Sequence, residues 1–116
     1  MKTKLLTICL LLLSSQVFAN DVKCSKMSAY AKTDWASTKI YISCMQNQGN
    51  MRSADMKCSR MTAKANTDWA ATKVYMSCMQ NQENMRSADM KCSRKSLKAK
   101  TENAAIRVYM SCMRSE

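Results

Sequence analysis

The chain has no His, no Pro and a single Gly among its 116 residues. Each shortage removes a class of protein. Without His there is no Ser-His-Asp or Cys-His catalytic group, no imidazole-based zinc site and no c-type haem attachment motif. Without Pro, and with almost no Gly, the tight turns of a β-sandwich or barrel lack their usual residues, so helix is the expected class. Long hydrophobic runs are also missing. The run from Leu5 to Leu13 is far shorter than the roughly 20 residues a membrane-spanning helix needs, so no transmembrane segment is expected.

That short run follows Lys2 and Lys4 and leads to Val17-Phe18-Ala19, the order of a secretory signal peptide. Residues 1–19 are therefore expected to be removed, with cleavage near Ala19, placing the rest in the periplasm or outside the cell. Cys24 follows Lys23 rather than the cleavage point, so no lipid anchor is expected. Loss of the signal removes Cys9 from the seven cysteines and leaves six, an even number suited to a disulfide framework in an oxidising compartment. The formal net charge falls from +11 to +9.

The six cysteines stand at Cys24 and Cys44, Cys58 and Cys78, and Cys92 and Cys112, each pair 20 apart and each starting 34 after the last. Residues 22–55 and 56–89 agree at 25 of 34 positions, which establishes an internal sequence repeat. The expected organisation is a signal over 1–19, repeat 1 over 20–55, repeat 2 over 56–89, and a diverged basic cap over 90–116. In the cap, Lys95 stands where the second repeat has Met61, and Asn103 where it has Trp69. A more polar last unit suits a face with no neighbour.

Within a unit, Cys24, Met27, Ser28 and Ala31 share one face of a helix expected over about 23–31. Ala36, Ile40, Tyr41 and Cys44 share a face of a second, expected over about 34–46. Thr33, Thr67 and Thr101 stand as N-caps, each followed by an acid at the positive end of the helix dipole. The polar link from Gln46 to Asn50 reads as a loop, with Ser53 or Asp55 capping the next helix.

The fold class expected is all-α: three tandem 34-residue helical hairpins, each stapled by an intra-repeat disulfide. A three-helix bundle is the competing arrangement. One continuous helix would hold Cys24 and Cys44 roughly 30 Å apart, out of disulfide reach, and would pair Cys44 with Cys58 and Cys78 with Cys92 instead. That leaves Cys24 and Cys112 at opposite ends, whereas hairpins serve all three units alike.

The Lys-Cys start of each unit, its Ala/Lys-rich first helix, and the Arg107-Val108-Tyr109-Met110-Ser111-Cys112-Met113 ending resemble the phosphate-starvation-inducible PsiF-repeat family of small bacterial periplasmic proteins. The resemblance implies a periplasmic location and a hairpin of paired cysteines, and no particular activity.

Eleven Met residues remain after the signal. Met76-x-Cys78-Met79 and Met110-x-Cys112-Met113 bring thioether and thiol together, ligands that suit Cu(I). On a helix Cys78 points away from Met76, so packing of a small core is the favoured use of Met. Trp35 and Trp69 are expected as plugs between hairpins, and Tyr41, Tyr75 and Tyr109 as covers for the disulfides. Asp34, Asp68 and Glu102 recur at capping positions in separate units and do not form an acid/base pair.

The charge is concentrated at the C-terminal end, where Lys91, Arg94, Lys95, Lys98 and Lys100 lie on or near one short helix. Such a patch attracts anionic partners in a salt-dependent way. Nucleic-acid motifs are lacking. The function expected is non-enzymatic: binding of an anionic surface or protein partner through a basic face, with no cofactor and no metal site. A Met/Cys copper or oxidant buffer, and a cationic membrane-active protein, are the alternatives.

Overall fold

A computed structural model describes residues 16–48 and 50–116. Most of the expected signal, residues 1–15, lies outside the described residues, as does Gly49 of the expected loop.

The described residues are all-α. Helix α1 covers residues 16–28, α2 Asp34–Gln46, α3 Ala54–Met61 with a 3-10 turn over Thr62–Lys64, α4 Asp68–Gln80, α5 Ala88–Ser96 and α6 Glu102–Ser115. The even-numbered helices begin where the sequence places them. Thr33, Thr67 and Thr101 have extended backbones, and their hydroxyls accept from the amides of Ala36, Ala70 and Ala104 at 3.1 to 3.2 Å. Each satisfies one of the amides that a helix N-terminus leaves unpaired. Of the two candidates for the next cap, Ser53 is the one used, accepting from the amide of Met56 at 3.1 Å, and Ser87 does the same for Met90 at 3.2 Å.

The odd-numbered helices stop earlier than the sequence suggests, and α1 begins earlier. The hydroxyls of Ser28, Thr62 and Ser96 each turn back to the carbonyl three residues before, of Ser25, Ser59 and Ser93. A hydroxyl bonded to its own preceding turn competes with continued α-helix, and the chain leaves at that point. The expected helix over 23–31 thus ends at residue 28 and, among the described residues, starts at residue 16.

Three disulfides join Cys24 to Cys44, Cys58 to Cys78, and Cys92 to Cys112, with α-carbons 5.4 to 5.5 Å apart. They tie α1 to α2, α3 to α4 and α5 to α6. Helix α4 is central, packing against α2, α3, α5 and α6. Its Ala70, Ala71, Val74 and Cys78 are fully buried with Ala36, Met90 and Ala105 from its neighbours. A core of small side chains lets helix backbones approach closely, and at roughly 25 cal/mol per Å² it supplies limited hydrophobic stabilisation, so the disulfides matter more.

Methionine divides between two roles. Met56 and Met90 are completely buried, whereas Met76, Met79, Met110 and Met113 are 37 to 49% exposed. Packing therefore accounts for only part of the Met content. No helix among the described residues is long and apolar enough to cross a membrane.

Candidate functional site

The helix pairs meet through a set of polar contacts that occurs twice, 34 residues apart. At the first joint, Lys39 of α2 stands 3.8 Å from Asp55 of α3. Asp55 also accepts from the Asn47 amide at 3.0 Å and the Tyr75 hydroxyl at 2.5 Å. At the second, Asp89 holds Lys73 at 3.7 Å, Asn81 at 3.0 Å and Tyr109 at 2.5 Å. Behind each carboxylate, two buried serine hydroxyls meet at 2.6 Å, Ser43 with Ser59 and Ser77 with Ser93. The edge of Trp35 meets the Tyr75 ring with centroids 5.9 Å apart, and Trp69 meets Tyr109 at 5.8 Å. Lys39 and Lys73 each lie 4.4 Å from the centroid of the same tyrosine rings, in cation–π contact.

Burial alone would push the Asp55 and Asp89 carboxyls up. Tyrosine, serine and asparagine donors, with the adjacent lysine, outweigh it and hold both below the usual carboxylate range. The tyrosines respond in the opposite sense: burial and the bond to a carboxylate raise Tyr75 and Tyr109. These carboxylates are structural. Asp55 was expected from the sequence only as a helix cap and Asp89 was not singled out, although a signal exists, because Asp21, Asp55 and Asp89 each precede a Tyr by 20 residues in step with the cysteines.

The tyrosines thus do more than cover disulfides. Tyr41 and Tyr75 pack beside the clusters containing the first two disulfides, but the hydroxyls of Tyr41, Tyr75 and Tyr109 are committed to Asp21, Asp55 and Asp89. Trp35 and Trp69 lie between successive helix pairs, half-buried, with Trp35 donating its backbone amide to Asp68 at 3.3 Å.

The odd-numbered helices carry a basic cleft. Lys57, Arg60, Met61 and Lys64, from α3 and its 3-10 turn, face Arg94 and Leu97 at the end of α5 across an open volume of about 530 Å³. All four cations are exposed. The ion pairs among the described residues are Lys39–Asp55, Lys73–Asp89 and Lys91–Glu116, so none of the four is neutralised by a carboxylate there. Arg94 is braced through a 2.6 Å bond from its guanidinium to the carbonyl of Met85. A smaller opening of about 260 Å³ lies on the other side of Arg60, with Met27, Tyr30 and Ala63 on its wall.

The basic patch read from the sequence is therefore divided. Arg94 lines the cleft with three cations from α3 and its 3-10 turn. Lys91 is taken up by Glu116 at 3.0 Å. Lys95, Lys98 and Lys100 are exposed and lie outside the cleft lining. Lys57, Arg60 and Lys64 were missed because their charge is spread along the chain and converges only where α3 meets α5.

Cys92, Cys112 and Glu116 bring potential metal-ligand atoms within 4.8 Å. Both sulfurs there are spent in the disulfide, so no thiolate is offered. The same holds for the other four paired cysteines, and the Met-x-Cys-Met sequences present thioethers alone.

Comparison with protein-family models, with curated proteins and with solved structures found no match.

Proposed function

We propose that the protein is an exported, non-enzymatic helical repeat protein, built of three disulfide-stapled hairpins, that holds an anionic partner in the basic cleft of its odd-numbered helices. One observation carries this reading: Lys57, Arg60, Lys64 and Arg94 surround one open cleft with no carboxylate against them among the described residues. Cations held together without counter-charge repel one another, and an arriving anion relieves that repulsion. The apolar floor of Met61 and Leu97 suits an anion with an adjoining apolar part, as a lipid head group has. Three disulfides fit the oxidising compartment that the amino-terminal sequence implies.

The test is co-sedimentation of the oxidised protein with phosphatidylglycerol vesicles and with phosphatidylcholine vesicles, across a salt series. Binding to the anionic vesicles that weakens steeply with salt, and at least a tenfold loss when Lys57, Arg60, Lys64 and Arg94 are all changed to Ala, is expected. Equal binding to both vesicles, or an unaffected quadruple variant, would overturn the reading. Dye release from the anionic vesicles would select the membrane-active alternative.

A further inference from the structure

The first and last described helices, α1 and α6, carry the two halves of the joint that recurs between them. Internally, Lys39 and Ser43 of α2 meet Asp55 and Ser59 of α3, and Lys73 and Ser77 of α4 meet Asp89 and Ser93 of α5. Beside them Ile40, Val74, Met56 and Met90 are at most 2% exposed. Thirty-four residues further on, α6 presents Arg107, Val108 and Ser111 at the positions of Lys73, Val74 and Ser77. Thirty-four residues back, α1 presents Asp21, Val22 and Ser25 at the positions of Asp55, Met56 and Ser59.

Among the described residues these groups lack most of the partners that their internal counterparts have. Val108 is 37% exposed and Val22 39%, and Ser25, Arg107 and Ser111 are exposed. Asp21 accepts from Tyr41, as Asp55 does from Tyr75, but among the described residues it has no counterpart of the lysine and asparagine that complete the internal site. Arg107 has no carboxylate within ion-pair distance among the described residues.

From this complementarity of charge and register, and from the exposed valines, we infer that the α6 face of one copy docks on the α1 face of a second, placing Arg107 on the second copy's Asp21 and Ser111 on its Ser25. The partner is a second copy because the match is specific to this chain's own joint. The ends differ from each other, so the contact is heterologous and leads to head-to-tail rows rather than a closed pair. Two elements are missing: Asn103 stands where Trp35 and Trp69 supply an aromatic edge to the next tyrosine, and Ser115 stands where Asn47 and Asn81 donate to the carboxylate. The outer joint is accordingly weaker than the inner ones, and association is reversible.

This inference rests on the hairpin-repeat reading above. The test is sedimentation velocity of the oxidised, exported protein over a concentration series. Average mass rising at least twofold between about 10 μM and about 1 mM is expected. Asn103→Trp restores the aromatic edge and moves the rise to roughly 2- to 10-fold lower concentration. Arg107→Glu, Val108→Asp and Asp21→Lys each abolish it, and an equimolar mixture of Arg107→Glu with Asp21→Lys regains it, because each altered end then meets its opposite charge.

A wild-type protein that stays monomeric throughout, or Arg107→Glu and Val108→Asp variants that associate like wild type, overturns the inference. Failure of the underlying reading has a different signature. If the internal variant Asp55→Lys lowers the melting temperature while wild type and Asn103→Trp stay monomeric, the end-to-end contact alone is wrong. If Asp55→Lys melts like wild type and unreduced peptides join Cys44 to Cys58, the repeat reading falls with it.

Discussion

Tyr75 donates its hydroxyl to the Oδ1 of Asp55 at 2.5 Å, linking α4 to the first turn of α3, and the same carboxylate receives Lys39 and Asn47 from the preceding helix pair. One side chain thereby holds together both the two helices of its own pair and the joint to the pair before it.

Removing the tyrosine hydroxyl leaves a half-buried carboxylate short of a donor. Tyr75→Phe is expected to cost about 1.5 to 3 kcal/mol, the range for a hydrogen bond to a charged group. Asp55→Ala should cost more, because it also strips Lys39 and Asn47 of their acceptor. Thermal or urea unfolding of the oxidised protein measures both, and a double-mutant cycle should show the two effects to be less than additive.

Acid should weaken the fold through Asp55 and Asp89. A carboxyl depressed by its folded surroundings contributes stability that is present above its unfolded value of about 3.9 and lost as pH falls through the folded value. Tyr75 and Tyr109 are raised, so their contribution is present below about pH 10 and lost as pH climbs through their folded values. Melting temperature against pH should show a plateau between these limits, and Asp55→Asn with Asp89→Asn should flatten its acid side.

The buried serine pairs should show an asymmetry. Ser59→Ala leaves the hydroxyl of Ser43 buried without its 2.6 Å partner and is expected to cost about 1 to 3 kcal/mol. Changing both Ser43 and Ser59 to Ala also takes the Ser43 donor from the Asp55 carboxylate. The melting temperature of the double variant should therefore lie below that of Ser59→Ala.

The three disulfides should be recovered by unreduced peptide mapping as Cys24–Cys44, Cys58–Cys78 and Cys92–Cys112. Replacing Cys58 and Cys78 together by Ser opens a loop of 20 residues and is expected to cost roughly 3 kcal/mol. In a core made largely of Ala, that is expected to broaden or abolish the cooperative transition.

Limited peroxide should separate the methionines by exposure. Met76, Met79, Met110 and Met113 are expected to become sulfoxides first, and the fully buried Met56 and Met90 last. Peptide mass spectrometry over a peroxide series reads the order directly.

Which features were legible in the sequence follows from how far each interaction reaches. The Thr caps at 33, 67 and 101 act on amides three residues away, so the starts of α2, α4 and α6 could be read from the residues themselves. The ends of the first helices were harder. Whether Ser28, Thr62 and Ser96 face solvent or bond back to their own helix depends on the packing around them, and periodicity suggested a longer helix. Arg94 was legible as part of a basic run, but Lys57, Arg60 and Lys64, its neighbours in the cleft, stand 30 or more positions earlier in the chain.

The amino-acid sequence alone determined the helical class, the 34-residue period, the Thr caps and the three equally spaced cysteine pairs, because these follow from composition, local hydrogen bonding and regular spacing. Only the tertiary structure decided that Asp55 and Asp89 join successive helix pairs, that four cations converge on one cleft, and that Val108 and Val22 are left uncovered. Those outcomes depend on which faces of separate helices meet, and no interaction within one helical turn specifies that.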